Sequence, residues 1–440
     1  MEIKELEIDL NVEGWKISGG RSGNVWGQVS TENIPFEIIK QAVKKGKKSC
    51  IWTALDSVLY VEEKKKDFDK TDSYSRASHK DKEQAKIVLN KNLLKTMSAT
   101  FKPSFDPYNS IAENMGMRIA VALDMPTSYN YLVKFDKNKY PQILKNFQSE
   151  SSVEKVRDIG AVSLDFLQVV ELDREIEEEV RVVYDGKPMW KKIKRNYSGD
   201  ELVLFSESIG FARRNELLSG TNFSIKNWIL GVDALAQKYV SEFPPELLQD
   251  QLKKINSRIV RSYLLREFLG DCDFTDLNSG FVINRDAQTI RYAPNFDYGE
   301  SFNALIKTKL DYMPAKKELE TILKWQPDYI EKKKERAKTP ISIIAQTYAS
   351  DASRANLRFV FENYPEDAKE FLQNLNEVAK SGIFNQIVDS YQKMTNNGKP
   401  LLNAEEASMF KEYIKCRTEW INTIASHYLD ETKKENTKDN

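Results

Sequence analysis

Two aspartates and one asparagine between residues 270 and 300 have a spacing that could support phosphoryl transfer. Asn278 stands five residues after Asp273, and Asp297 follows in the segment Pro-Asn-Phe-Asp-Tyr-Gly. In phosphoryl transfer one carboxylate orients the attacking hydroxyl, while an Asn and a second Asp hold Mg²⁺ on the nucleotide phosphates. Because Mg²⁺ prefers oxygen ligands and keeps several waters, few protein ligands suffice. The residue types therefore suit a magnesium-dependent phosphotransfer site.

The same residues allow two other interpretations. Acidic residues with Gly and Asn are ordinary in surface loops, and the spacing alone leaves that interpretation open. A calcium-binding loop beginning at Asp271 would need Gly at its sixth position and Glu at its twelfth. The chain has Asp276 and Val282 at those positions, so the sequence argues against a calcium loop.

A predicted hairpin would bring these residues together. Two short β runs, 280–284 and 288–293, are joined by an Asn-Arg-Asp turn. A hairpin returns its two ends to one place, so we expect Asp273 and Asn278, before it, to lie close to Asp297, after it. A long predicted helix also precedes Asp273. The helix, the hairpin and the Pro-Asn-Phe-Asp-Tyr-Gly segment together are more specific than the Asp–Asn spacing alone.

The segment Leu-Gly-Asp-Cys-Asp-Phe-Thr-Asp-Leu-Asn-Ser-Gly-Phe, followed by Tyr-Ala-Pro-Asn-Phe-Asp-Tyr-Gly, resembles the catalytic and metal-binding segments of HipA-like kinases. In pattern it is closest to the compact CtkA-type members. The resemblance implies that Asp273 is the catalytic aspartate and that Asn278 and Asp297 bind Mg²⁺. It also implies a protein-kinase-like fold that transfers the γ-phosphate of ATP to Ser or Thr. The similarity is strong over about 30 residues and weaker over roughly residues 100–300.

A glycine-rich segment near the start could cover the phosphates of ATP. The run Ser-Gly-Gly-Arg-Ser-Gly-Asn-Val resembles the CtkA-type loop, and it implies nucleotide binding at Gly19, Gly20, Ser22 and Gly23. Backbone N–H groups can approach a phosphate closely where glycines carry no side chain. The same run would also suit a simple hairpin turn.

The remaining kinase parts are expected on a strand and a helix. Lys102, in Thr-Phe-Lys-Pro, is similar to the lysine that holds the α- and β-phosphates in this family, with Lys95 as the alternative. Glu113, on a predicted helix over 110–123, stands where the glutamate that pairs this lysine would lie. Asp165, in Ser-Leu-Asp-Phe, resembles the strand that leads to the adenine-binding hinge.

The sequence departs from the family in two places. Phe274 and Thr275 stand where HipA-like kinases usually have a basic or imidazole residue after the catalytic aspartate. About 75 residues separate the glycine loop from Lys102, many of them in a polar insertion at 62–86. The first departure keeps open a pseudokinase that acts as a nucleotide- or protein-binding module. A small-molecule or lipid kinase on the same fold is a third alternative.

Composition excludes several other chemistries. The chain has 440 residues, 66 basic and 66 acidic, with only two histidines and three cysteines, all widely spaced. Zinc sites, Cys–His nucleophiles and disulfide scaffolds are therefore not expected. The balanced charge predicts no direct nucleic-acid binding, and no apolar run suits a membrane span.

We expect the protein to be cytoplasmic, and the sequence leaves open export by a route that uses no cleaved signal. Its expected partner is a protein substrate or a cognate regulatory protein. The oligomeric state is left open.

The patterns predict an α+β protein with a protein-kinase-like, two-lobed fold. A β-rich N-terminal lobe is expected over 1–168 and a mainly helical lobe over 169–440, which contains the catalytic hairpin at 270–300 and additional C-terminal helices. Other predicted elements are a helix over 35–44, strands over 129–135 and 161–167, a hairpin turning at Asp185-Gly186, a helix over 245–269 and a capping box that joins Asn403 to Glu406.

Overall fold

The structure of the chain is a computed structural model. It describes residues 2–8, 15–17, 25–35, 59–62, 86–89, 96–104, 108–141, 157–167, 174–184, 187–197, 200–214, 224–240, 243–284, 288–306, 341, 344–345, 349 and 353–436. The chain divides into two compact units that alternate along the sequence. The sheet unit comprises Lys4–Phe105 and Pro126–Ser198, and the helical unit comprises Met1–Ile3, Asp106–Met125 and Gly199–Asn440.

The sheet unit contains a seven-stranded sheet in which all neighbouring strands are antiparallel. The strands of this unit are β1 (Trp15–Ile17), β2 (Val25–Ser30), β3 (Leu59–Glu62), β4 (Lys86–Leu89), β5 (Thr96–Pro103), β6 (Asn130–Lys134), β7 (Ile159–Leu164), β8 (Arg174–Tyr184) and β9 (Lys187–Tyr197). The large sheet has the order β6-β7-β5-β2-β1-β8-β9. A separate two-stranded sheet pairs β3 with β4 and flanks the predicted polar insertion, of which residues 63–85 lie outside the described residues.

Strand β5 shows why this sequence forms a sheet with one buried face. Met97, Ala99 and Phe101 are fully buried and alternate with half-buried residues, which is the two-residue period of a strand. On β7, a Cβ at Gly160 would lie 2.3 Å from the ring of Phe101. A glycine is therefore needed at this point for the neighbouring strand to pair with β5.

The helical unit contains eight helices of at least ten residues and a three-stranded sheet among the residues that the structure describes. The sheet has the order β10-β11-β12, with β10 (Asp200–Leu204), β11 (Gly280–Asn284) and β12 (Thr289–Tyr292). The helices are α1 (Asn109–Ala122), α2 (Phe205–Arg214), α3 (Ile225–Tyr239), α4 (Pro245–Leu269), α5 (Ser353–Asn363), α6 (Pro365–Lys380), α7 (Ile383–Lys393) and α8 (Ala404–Asn436). A small hairpin of β13 (Thr395–Asn396) and β14 (Lys399–Pro400) precedes α8.

Helix α4 leads directly into the predicted catalytic segment. It begins with Pro245 at its first position, where the missing N–H has no helical partner to lose. It ends at Leu269, and the next residue, Gly270, has a φ of 64°, the left-handed conformation that commonly closes a helix. In its second half every residue from Ser262 to Leu269 is buried, so this end of the helix is enclosed on all sides.

Several predicted elements are confirmed. The helix over 245–269 has the predicted bounds, and the helix over 110–123 is shifted by one residue. The strands near 129–135 and 161–167 are also present, and the paired strands of both predicted hairpins, β8 with β9 and β11 with β12, are confirmed, whereas the turn residues 185–186 and 285–287 lie outside the described residues. The capping box is confirmed by bonds of 2.7 and 2.9 Å between Asn403 and Glu406.

The prediction of a mixed α and β protein is confirmed, and its described sheets are antiparallel. The kinase-like arrangement of lobes over 1–168 and 169–440 stays a prediction. Residues 36–44, most of the predicted helix over 35–44, lie outside the described residues. Among the described helices, none combines the length and the apolar character required to cross a membrane.

Candidate active site

The loop between α4 and β11 places Asp273 and Asn278 side by side. The Nδ2 atom of Asn278 donates to the main-chain carbonyl of Asp273 at 2.9 Å and to its carboxylate at 3.0 Å. The N–H of Asn278 also donates to the carbonyl of Thr275 at 3.1 Å, which closes the turn between them. Because the amide nitrogen is committed to Asp273, Oδ1 is the atom of Asn278 that could bind a cation.

A buried ion pair lies directly beneath this loop. The guanidinium of Arg266, on α4, donates to the carboxylate of Asp271, and their side chains are 1% and 0% exposed. The other carboxylate oxygen of Asp271 accepts from the N–H of Asp273 at 3.0 Å. The hydroxyl of Ser301 donates to Asp271 at 3.4 Å. Asp271 is therefore occupied within the protein and connects α4 to the backbone of Asp273.

The same guanidinium holds the segment that carries Asp297. Arg266 donates to the main-chain carbonyl of Asp297 at 2.7 Å and to that of Phe296 at 2.5 Å. Asp297 has a φ of 62°, an uncommon conformation for a residue with a side chain. Such conformations persist where the surroundings hold them, and they cluster at functional sites.

Electrostatics indicates that the carboxylates share one small region. The pKa of Asp273 lies above its usual range, because burial disfavours the charge and because the carboxylates of Asp297 and Asp271 are close. The hydrogen bond from Asn278 opposes this shift, and Glu300 adds to it. A cation placed here would favour the ionised form of Asp273.

The donor set fits Mg²⁺ better than a metal that needs a complete protein cage. Among the described residues, no group of three or more His, Cys, Asp or Glu side chains could hold a metal ion. Mg²⁺ is usually bound through one or two carboxylates together with substrate phosphates and waters. Asp297 and the amide oxygen of Asn278 have the chemistry for that role.

Helix α1 packs directly on the segment that follows Asp297. The side-chain amide of Asn109 donates to the carbonyl of Gly299 at 2.7 Å. Two turns further along, a Cβ at Gly116 would lie 2.7 Å from the Cβ of Tyr298, which is fully buried. Glu113 is on the same helix and is 3% exposed. The helix that carries the predicted glutamate therefore contacts the predicted metal-binding segment.

Phe274, the departure from the family pattern, is an aromatic anchor for the loop. Its ring contacts Trp228 edge-on with centroids 5.0 Å apart, and Tyr263 lies at 6.2 Å. The guanidinium of Arg266 lies 5.3 Å from the ring of Phe274 and 4.1 Å from that of Tyr298. Aromatic and cation–π contacts of this kind stabilise a loop by packing.

The C-terminal helix supports the start of the loop, although it carries no motif that matches the family. Arg417, on α8, is 1% exposed and donates to the carbonyl of Phe268 at 3.2 Å, to that of Ala345 at 3.0 Å and to that of Glu267. It thereby supplies a donor to the carbonyl of Phe268 and a second donor to that of Glu267, which also accepts from the N–H of Gly270 at 3.0 Å. Sequence reasoning missed both Arg266 and Arg417.

The other predicted site residues lie in the sheet unit or outside the described residues. Lys102 is on β5, where its backbone pairs with Ala161 of β7. The backbone N–H of Asp165 donates to the carbonyl of Ser98 at 3.0 Å, next to the same strand. The structure thus places Asp273, Asn278 and Asp297 together within the helical unit, whereas the pairing of Lys102 with Glu113 stays a prediction. The glycine loop (Gly19, Gly20, Ser22 and Gly23) and Lys95 lie outside the described residues.

No protein-family model matches the chain, and no curated protein matches it. Among solved structures, the chain is similar to the proinflammatory kinase CtkA of Helicobacter pylori. The TM-score is 0.44 and the identity 13%, over 78% of this chain and 94% of that chain. It is also similar to the structure of the HipA, HipB and operator DNA complex of the Shewanella oneidensis MR-1 toxin–antitoxin system. There the TM-score is 0.39 and the identity 14%, over 76% of this chain and 60% of that chain.

Proposed function

We propose that this protein is an ATP- and Mg²⁺-dependent phosphotransferase that acts on Ser or Thr of a protein substrate. The observation that carries the proposal is the placement of Asp273 against Asn278, with the carboxylate of Asp297 close enough to raise the pKa of Asp273. These are the residues that the resemblance to HipA-like kinases assigns to acceptor orientation and to metal binding.

Asp273 would orient the acceptor hydroxyl and accept its proton. The hydroxyl oxygen attacks the γ-phosphorus of ATP, and a new O–P bond forms as the bond to the β,γ-bridging oxygen breaks. The electron pair of the broken bond leaves with ADP, and the proton passes to the carboxylate of Asp273. A general base works best with a pKa near the working pH, so a raised pKa suits this role.

Asn278 and Asp297 would hold Mg²⁺. When bound, the ion neutralises charge on the phosphate oxygens. The chain contributes an amide oxygen fixed by Asp273 and a carboxylate on a backbone held by Arg266. We further propose that Lys102, paired with Glu113, holds the α- and β-phosphates. The loop with Gly19, Gly20, Ser22 and Gly23 would cover the phosphates, and Asp165 would lie beside the adenine.

Phe274 gives one observation in favour of a pseudokinase. Its ring packs against Trp228 and Tyr263, so this position supplies no basic group for the phosphate. A binding-only protein with the same carboxylates would still take up nucleotide.

A thermal-shift titration combined with a transfer assay separates the two functions. A ligand that binds only the folded protein stabilises it by mass action, by about 2.7 kcal/mol at a hundredfold excess over Kd. For a phosphotransferase we expect Mg-ATP to raise the melting temperature and labelled phosphate to reach a protein acceptor. Stabilisation by Mg-ATP with no transfer to any acceptor, including the chain itself, would indicate the pseudokinase. An absence of both effects would contradict the proposed nucleotide site.

A further inference from the structure

We propose that Arg266 is a positioning residue that sets the separation between the Asp273 loop and the Asp297 segment. This inference rests on the proposed function of the site, because it concerns how the same carboxylates are held. It assigns a role to a residue outside the motif, on the last turn of α4.

The geometry supplies a continuous connection through one side chain. Arg266 bonds the carboxylate of Asp271 and the main-chain carbonyls of Phe296 and Asp297. The second oxygen of Asp271 accepts from the N–H of Asp273 at 3.0 Å. A single planar guanidinium therefore lies between the backbones of Asp273 and Asp297, and both depend on its orientation.

The guanidinium is suited to this role because its shape is rigid. Its N–H donors form a planar fork of fixed geometry, whereas a lysine ammonium is a compact charge on a flexible stem. The ring of Tyr298 lies 4.1 Å from the guanidinium carbon and that of Phe274 lies 5.3 Å from it. These contacts restrict the tilt of the fork, so its three acceptors are held at fixed positions.

Burial argues against a direct contact with phosphate. Arg266 is 1% exposed, and two of its nitrogens already donate to Asp271, Phe296 and Asp297. A guanidinium committed in this way acts on the reaction through the residues that it holds. It is therefore a positioning residue and not one that stabilises the transferring phosphoryl group.

A purely stabilising role is the alternative that the experiment must exclude. Replacing a buried ion pair by apolar residues of similar volume is often neutral or stabilising. The double variant Arg266→Met/Asp271→Leu removes both charges together, so neither is left buried without its partner, and it lacks the hydrogen bonds through which Arg266 and Asp271 connect the two segments. The variant Arg266→Lys keeps the charge but not the fork. The matched control is Arg358→Met/Glu362→Leu, which removes an exposed ion pair on α5.

The measurement is the affinity for Mn²⁺ in the presence of ADP, determined by electron paramagnetic resonance. Thermal melting and phosphate transfer are recorded on the same samples. Mutation of a residue that orients metal ligands typically lowers the metal affinity by about 10- to 100-fold. We expect the double variant and Arg266→Lys to melt cooperatively and to bind Mn²⁺ at least about tenfold more weakly than the wild type. The α5 control should bind as the wild type does.

The proposal is decided by comparing the variants with the wild type. It is overturned if Arg266→Lys or the double variant folds and binds Mn²⁺ with an affinity within twofold of the wild type. It is also overturned if the wild type does not bind Mn²⁺. If the wild type binds Mn²⁺ and the variants do not, but no protein transfers phosphate, the positioning role is supported while the proposed phosphotransferase activity is wrong. Should the double variant not fold, Arg266→Lys decides the question by the same measurement.

Discussion

The side-chain amide of Asn278 lies 3.0 Å from the carboxylate of Asp273 and donates a hydrogen bond to it. This bond favours the ionised form of Asp273, whereas burial and the carboxylates of Asp297, Asp271 and Glu300 oppose ionisation. The opposing effects are stronger, so the pKa of Asp273 is raised. A carboxylate that gains a proton more readily than usual has consequences for both activity and stability.

The first prediction concerns the pH dependence of transfer. Because Asp273 must be ionised to accept a proton, we expect the rate to fall as the pH decreases through its raised pKa, above the range of an ordinary aspartate. Glu300→Gln removes one of the charges that raise this pKa and should move the acidic limb of the profile to lower pH. The measurement is kcat/KM against pH for both proteins. An acidic limb that does not move in Glu300→Gln would show that the charge of Glu300 does not raise the pKa of Asp273.

The raised pKa also predicts how Asp273→Asn affects stability. A carboxylate whose pKa is higher in the folded state than in the unfolded state binds its proton more tightly when folded. Its contribution to stability therefore increases as the pH falls through the folded pKa, and ionisation above that pH is unfavourable. At pH 7 we expect Asp273→Asn to melt at the same temperature as the wild type or a higher one, as measured by circular dichroism. A clear decrease in the melting temperature would count against the assigned cause of the shift.

The third prediction separates metal binding from backbone strain at Asp297. Asparagine adopts positive φ as readily as aspartate does, so Asp297→Asn changes the charge and keeps the backbone conformation. We expect transfer to fall by at least about 100-fold and the stabilisation by Mg-ATP to be lost, because a metal ligand is removed. Asp250→Asn, at an exposed site on α4, is the matched control and should behave as the wild type. Full Mg-ATP stabilisation of Asp297→Asn would show that this carboxylate does not hold the metal.

The fourth prediction concerns the contact between α1 and Tyr298. Gly116→Ala should lower the free energy of unfolding by about 1–3 kcal/mol, because the added methyl group overlaps a buried ring. Gly231→Ala on α3 is the comparison and should lower it by less, since its Cβ would lie 3.3 Å from the nearest atom, which is a tight contact and not an overlap. Urea denaturation measures the free energy of unfolding of both variants and of the wild type. If Gly116→Ala proves as stable as the wild type, α1 is not packed closely on this segment.

The fifth prediction tests the support from the C-terminal helix. Arg417→Lys cannot reach three carbonyl groups at once and should lower the free energy of unfolding by about 2–4 kcal/mol, because the carbonyls of Phe268 and Ala345 no longer both receive the donor that Arg417 supplies. Arg358→Lys, on the exposed side of α5, should change it by less than about 0.5 kcal/mol. If Arg417→Lys and the wild type have the same free energy of unfolding in urea, Arg417 does not hold the end of α4.

Local patterns were sufficient for the elements around the site. The helical period over residues 245–269 predicted α4 with its observed bounds, and the two β runs with a turn signal between them predicted the pairing of β11 with β12. The closeness of Asp273 and Asn278 followed from their short separation in the chain. These features depend on neighbouring residues, so they could be predicted from one sequence.

Features that depend on distant residues were missed. Strand β10 was not predicted, because it is defined by pairing with β11 about 80 residues later, Asp200 lying opposite Asn284. Arg266 left a weak signal as a charged residue within the apolar end of α4, where a buried partner was to be expected. Arg417 left no signal in the sequence that could be interpreted, because one of its acceptors, the carbonyl of Phe268, is 149 positions away.

The most direct test of the proposed activity is incubation with γ-labelled ATP and Mg²⁺ of the wild type, Asp273→Asn and the control Asp250→Asn. We expect the wild type and the control to transfer label to a protein acceptor or to the chain itself. Asp273→Asn should retain its fold and lose transfer by at least about 100-fold, the lower range for general base catalysis. Equal transfer by Asp273→Asn and the wild type, or no transfer by the wild type to any acceptor, would contradict the proposed function.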